Sequence, residues 1–164
     1  MLKKNILIFL LGAVVIIVLD QITKCAVITR FGMHESYPVI NGLFNLVYVM
    51  NPGAAFGFLA NAPEIFRYIF FTGITILALG LILYYLVKHK PQSLMLVCAL
   101  TLIFAGAVGN LIDRLRFGAV VDFLDVYIGS AHWPAFNVAD SAISIGAALM
   151  IWDMIANRKK EKAS

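Results

Sequence analysis

Residues 136 to 146 read FNVADSAISIG, and they open the last long apolar run of the chain with a carboxylate. Asp140 lies about one helical turn inside that run, and Asn137 lies one turn before it. Placing an ionisable group within a lipid-spanning segment costs roughly 2.5 to 3.5 kcal/mol on insertion scales, so a function has to offset it. Serine chemistry finds no support. Ser141 is adjacent to Asp140 and Ser144 one turn past it, but no helix offers a histidine base at that level, Lys24 is the lone nearby lysine, and no GxSxG occurs. HESYP at 34 to 38 begins like a zinc-protease motif, yet Pro38 stands where the second histidine would be needed, so no metal and no cofactor is assigned. Two carboxylates remain. A confined pair cannot ionise twice cheaply, so one member stays charged and can activate water while the other keeps a proton to give to a scissile carbonyl. The partners open to Asp140 are Asp20, Asp113, Asp122 and Asp125. Asp113 precedes Arg114 and reads as part of a charge-balanced helix end, and Asp125 would share a face with Asp122 only if that stretch were helical. Asp122, between apolar neighbours in GAVVDFLD, is preferred on local environment, with Asp113 left open.

Four apolar stretches are long enough to hold such a pair in a membrane: Asn5 to Cys25, Ile65 to Val87, Ser93 to Ile112 and Val138 to Ala156. The composition requires this class. Of 164 residues, 62% are hydrophobic and 13% charged, which an ordinary soluble domain could not bury. The net charge of +4 is gathered at the ends of the apolar runs without interleaved aromatics, which excludes nucleic acid as a partner. The first stretch follows Lys3 and Lys4 but meets no small-residue cleavage site, so it is expected to be a retained helix. Cys25 and Cys98 fall at opposite ends of their spans and are expected not to bridge.

The positive-inside rule orients the bundle. One side gathers eight cations, at Lys3, Lys4, Lys88, Lys90, Arg158, Lys159, Lys160 and Lys162, against Asp153 and Glu161. The other side has Lys24, Arg30, Arg67, Arg114 and Arg116 against seven carboxylates. Both termini are therefore expected in the cytoplasm. Outside lie a loop over 26–64, in which NGLFNLVYVMN should form a small sheet element, and a second loop over 113–137. The tail NRKKEKAS should be solvated and disordered.

At 1.5 Å per residue, Asp20, Asn110 and Asp140 stand about 22, 26 and 27 Å above the cytoplasmic ends of their spans, one layer at the outer edge of the lipid core. Gly106, Asn110 and Arg114 recur every four residues, Asp20 and Lys24 can pair at i, i+4, and Asn137 can cap the last helix. A proton-relaying transporter would spread its polar groups through the depth of the bilayer. A non-catalytic lipid-binding protein would tolerate loss of a carboxylate.

The blocks DQ with Lys24, NPGAAFG, GNLIDR, GAVVDF and FNVADSAI resemble, in order and spacing, the bacterial lipoprotein (type II) signal peptidases. That resemblance implies an all-α, four-helix inner-membrane domain over 1–164 with a small extracytoplasmic β element, acting as a monomeric aspartic endopeptidase. It would cleave diacylglyceryl-modified prolipoproteins just before the lipidated cysteine, in contact with membrane lipids, and bind globomycin-type inhibitors. Asp122 and Asp140 would be catalytic, with Asp20, Lys24, Asn51, Gly106, Asn110, Asp113, Arg114 and Asn137 lining or bracing the site at the outer leaflet. Gly106, Ala107 and Gly109 would leave room for the substrate helix and its lipid, and the GAAFGFL segment would lie over the site.

Overall fold

Leucine, isoleucine, valine and phenylalanine dominate four proline-free runs, and a helix is the only open backbone arrangement that satisfies its own hydrogen bonds in lipid. The computed structural model, which describes residues 3–53, 58–59, 62–89, 91 and 93–161, forms these runs into α1 (Lys3–Arg30), α2 (Glu64–His89), α3 (Leu94–Phe117) and α4 (Val138–Glu161). All four are long and apolar enough to cross a membrane. All four run past the spans expected from hydropathy, α2 by the least. α1 reaches Arg30 and α3 reaches Phe117, because nothing after Cys25 or Ile112 breaks a helix. α4 carries on through Glu161, so the first part of the basic tail is helical rather than disordered, as its run of Arg, Lys and Glu permits; Lys162 to Ser164 lie outside the described residues.

α3 is the central helix and packs against the other three, whereas α2 packs against α3 alone among the described elements. Close approach depends on glycine. A Cβ on Gly106 would overlap the Ala139 carbonyl oxygen of α4, one on Gly109 would come within 2.5 Å of Asp20 Oδ2 of α1, and one on Gly146 within 2.8 Å of the Ala99 carbonyl oxygen. At one end of the bundle, Phe9, Leu86, Val97 and Leu100 form a buried cluster. There Ser93 caps α3 by accepting from Leu96 N at 3.2 Å and donates to Asp153 of α4 at 2.5 Å, and Asn5 of α1 donates to the Pro91 carbonyl at 3.2 Å.

The opposite end carries a four-stranded antiparallel sheet in the order β1 (Ser36–Ile40), β2 (Phe44–Asn51), β3 (Val120–Ile128), β4 (Ala131–His132). Asn41 and Gly42 turn β1 into β2, with Gly42 at φ 82°. The second stretch, 113–137, expected as a loop, instead holds the end of α3 and the strands β3 and β4. Gly118 ends α3 in the left-handed region (φ 73°), its N–H bonding the Arg114 carbonyl, and β3 starts two residues later. β3 is rich in β-branched and aromatic residues but finds its partner in β2, where Asn51 faces Val120 and Val49 faces Asp122. Such non-local pairing leaves no local periodic mark. Cys25 and Cys98 are both free thiols.

The glycine contacts give a contrast that can be measured. Gly146→Ala must displace the α3 backbone and is expected to cost about 1 to 3 kcal/mol, whereas Gly80→Ala, whose Cβ would meet nothing within 4 Å, is expected to be neutral or stabilising. Thermal unfolding in one detergent checks both, and equal Tm values for the two variants would contradict this packing.

Candidate active site

Lys24 is 2% exposed and sits at the junction of the three tightly packed helices. Its Nζ contacts Asp20 Oδ2 at 2.9 Å and Asp113 Oδ2 at 2.8 Å, and donates to Asn110 Oδ1 at 3.0 Å. Each carboxylate then holds a second element. Asp20 Oδ1 accepts from Ala139 N in the first turn of α4 at 2.9 Å, and Asp113 Oδ2 accepts from Val121 N of β3 at 3.1 Å. Gln21 Nε2 ties the two together, at 3.2 Å from Asp20 Oδ2 and 3.1 Å from Asp113 Oδ1. The pair expected between Asp20 and Lys24 is present. Asp113 is among the carboxylates whose charge acts on Arg114, as expected, but its direct ion pair is with Lys24 of α1.

The two backbone atoms so fixed adjoin Asp122 and Asp140. Three asparagines then orient the two carboxylates, and in each the amide direction follows from an obligate donor on its oxygen. Asn110 Oδ1 receives the Lys24 ammonium, so Nδ2 points to Asp140 Oδ1 at 2.7 Å. Asn137 caps α4, its Oδ1 accepting from Asp140 N at 2.8 Å, so Nδ2 points to Asp122 Oδ1 at 2.7 Å. Asn51 Oδ1 accepts from Gly53 N at 3.0 Å, so Nδ2 points to Asp122 Oδ2 at 2.9 Å. Asp140 Oδ2 completes a capping box by accepting from Asn137 N at 3.3 Å. Asn137 thus touches both carboxylates, as a helix cap and as a donor.

Asp122 is 2% exposed, and its pKa is pushed up to about 7 by burial and by the charge on Asp140, against the opposing donors Asn51 and Asn137 and the charge of Lys24. Among the described residues, the cations beside Asp20, Asp113, Asp122 and Asp140 are Lys24 and Arg114, so the cluster carries more carboxylates than cations. Arg114 holds its guanidinium 5.5 Å from the ring centre of Phe71 on α2.

Asp122, Asp140, Asn51, Asn110 and Arg114 line one pocket of about 870 Å³ whose other walls are largely apolar, including Ile74 and Ala78 of α2, Ile103 and Ala107 of α3, and Ile143 of α4. Gly106 and Gly109 do not line it. Their open faces are filled by α4 and Asp20, so they set helix spacing rather than leave room for a substrate, and Ala107 alone of that small-residue set reaches the pocket. Asp125 stands three residues from Asp122 on a strand, hence on the other face, and bonds Asn45 at 2.9 Å. Ser141 donates to the Asn137 carbonyl at 2.9 Å. Ala54 to Gly57, in the segment expected over the site, lie outside the described residues. Among the described residues no group of three His, Cys, Asp or Glu side chains is arranged to hold a metal.

Two features escaped the sequence reading. Gln21 was within the DQ block, and its place beside Asp20 was the available signal. Trp133 to Phe136 form a rim of the pocket, for which no spacing gave notice. Acid and base groups oriented toward one partly apolar pocket suit hydrolysis of a bond carried by a lipophilic substrate.

The comparisons with known proteins agree with one another. The family model described as signal peptidase (SPase) II matches residues 12–156. A lipoprotein signal peptidase of Syntrophus aciditrophicus is 57% identical over 159 residues, covering 97% of this chain and 99% of that protein. One from Geobacter metallireducens is 46% identical over 159 residues, covering 97% of each. A bacterial membrane enzyme structure determined by the in meso method superposes with a TM-score of 0.85 at 36% identity, covering 95% of this chain and 92% of the other. With the family model matching most of its length, the chain belongs to the signal peptidase II family, and is a multi-pass membrane protease.

Proposed function

We propose that the chain is an aspartic endopeptidase that removes the signal peptide from diacylglyceryl-modified prolipoproteins, cutting immediately before the lipidated cysteine. The observation that carries this reading is the joint hold of Asn137 on Asp122 and Asp140, both of which line the same pocket. In the proposed mechanism the charged carboxylate takes a proton from water, whose oxygen attacks the scissile carbonyl. The protonated carboxyl gives its proton to the carbonyl oxygen, forming a tetrahedral diol. Collapse of the diol breaks the C–N bond as a proton passes to the amine of the cysteine, without a covalent enzyme intermediate. The apolar walls from α2, α3 and α4 take the diacylglyceryl chains and the end of the signal helix.

The charge asymmetry along the sequence supports a bundle with both termini in the cytoplasm and the pocket at the outer leaflet of the bacterial inner membrane. The buried face of α3 between Val97 and Gly106 supports hydrolysis over proton relay, since its one polar side chain, Thr101, donates to its own helix at Val97 O, 2.7 Å away. The chain acts as a monomer, and cyclic lipopeptides of the globomycin type compete for the same pocket.

Four outcomes test this. Asp122→Asn and Asp140→Asn are each expected to lower turnover of a synthetic lipopeptide by about 10³-fold or more with Tm retained. Near-normal turnover in either variant removes the dyad. The shared proton leaves as pH rises through about 7, so kcat/KM should decline above that point. Asn51 holds the Asp122 pKa down, so Asn51→Ala raises it and should move the alkaline limb to higher pH; a limb that stays put or moves lower contradicts the assignment. A precursor without the diacylglyceryl group should be cut about 100-fold less efficiently, since binding energy from the lipid is used at the transition state. Equal cleavage of both forms would rule out the lipid-binding role of the pocket.

A further inference from the structure

The far end of β3 carries a polar cluster that the hydrolytic reading leaves unused. β3 turns into β4 through two residues, Gly129 at φ 62° and Ser130, and the chain then runs through Trp133 to Phe136 back to β3. That return is pinned at its two ends. Trp133 N donates to Val126 O at 2.8 Å, and Phe136 exchanges backbone bonds with Leu124, donating at 3.0 Å and accepting at 2.8 Å. Between the pins, Pro134 and Ala135 line the pocket with their neighbours and make no backbone bond to the sheet.

Side chains hold the turn that feeds this rim. His132 Nδ1 lies 2.8 Å from Asp125 Oδ1, and the other oxygen of Asp125 accepts from Asn45 Nδ2 of β2 at 2.9 Å. The imidazole also stacks on Tyr127, with ring centres 4.7 Å apart and planes 6° from parallel. The Tyr127 hydroxyl in turn accepts from Gly42 N of the β1–β2 turn at 2.9 Å. His132 immediately precedes Trp133 and is gripped from two directions by groups anchored in β2 and the first hairpin. Nothing in this cluster touches Asp122 or Asp140: Asp125 is on the opposite face of β3 from Asp122.

We propose that the Asp125–His132 pair, with its Tyr127 stack, is a latch that holds the Trp133–Phe136 rim in place over the pocket, so that His132 acts as a positioning residue for substrate binding. The rim is a lipid-facing or peptide-facing wall whose backbone is bonded to β3 at its two ends and not between them, and the latch fixes the strand that delivers Trp133 to the first of those bonds. Loosening it costs binding and leaves the acid–base groups in place. The proposal rests on the proteolytic reading for the meaning of KM, and its geometry can be tested without turnover.

The test uses the full chain purified in detergent with Trp152→Phe, which leaves Trp133 as the sole tryptophan of the two in the sequence. His132→Ala is expected to increase acrylamide quenching of Trp133. It is also expected to raise KM for a synthetic lipopeptide about fivefold with kcat within about twofold of the parent. His132→Asn, whose amide can take the place of Nδ1 as donor to Asp125 but which has no ring to stack on Tyr127, should restore both in part. Unchanged quenching and KM in His132→Ala, a fall in kcat at constant KM, or no recovery with His132→Asn would each overturn the latch. If His132→Ala does not fold, Asp125→Asn keeps an acceptor oxygen while losing the charge and should give a smaller rise in quenching; no rise there overturns the proposal. A parent protein that binds but does not cut the lipopeptide sinks the proteolytic reading instead, and the quenching series still decides the latch.

Discussion

A single buried ammonium fixes the geometry on which the rest of the molecule depends. Lys24 is enclosed by Asp20, Asp113 and Asn110, and none of these could stay in a low-dielectric junction unpaired. Replacing such a cluster with apolar side chains is often no less stable, so its value lies in direction rather than in energy. Each group that satisfies Lys24 also bonds elsewhere: Asp20 Oδ1 to the first turn of α4, Asp113, through the same oxygen that meets Lys24, to the strand beside Asp122, and Asn110 Nδ2 to Asp140 itself. The charge balance of one lysine therefore sets where two other carboxylates stand.

Those two carboxylates are held by donors only. Asn51, Asn110 and Asn137 each present an amide N–H because their oxygens are occupied, and an N–H favours the ionised form of its partner. Burial and the mutual repulsion of the pair act the other way and hold the Asp122 pKa near neutrality, at about 7. The competition places the Asp122 proton where the proposed general acid–base exchange needs it. Helix packing keeps these terms strong. Gly106, Gly109 and Gly146 bring α1, α3 and α4 into close contact, while α2 packs on α3 alone among the described elements and supplies Ile74 and Ala78 to the pocket wall.

Much of this was legible in the chain because membranes impose simple rules. Apolar run length gave four helices, and the convergence of Asp20, Asn110 and Asp140 at one depth followed from the helical rise alone. Asn137 as an N-cap was legible from its place before an apolar run. The errors have physical causes. Asp113 was matched to Arg114, on which its charge does act, yet adjacent helical side chains diverge by about 100° and its direct ion pair is with a lysine of another helix. The stretch from Val120 to Ile128 was read as loop because its strand partner is some seventy residues away, and cross-strand pairing of that kind is decided by tertiary contact. The glycines assigned to substrate access serve helix contact, since a missing Cβ does not say which neighbour fills the space.

The sequence alone determined the class of the protein, the number of spans and the inventory of ionisable groups at one end of them, because hydropathy, helical rise and residue chemistry are local quantities. Only the tertiary structure decided which carboxylate faces which, which way each asparagine amide points and which residues rim the pocket. Those are outcomes of hydrogen-bond satisfaction among α1, α3, α4 and β3 at once, and no one segment contains the donors and acceptors that settle it.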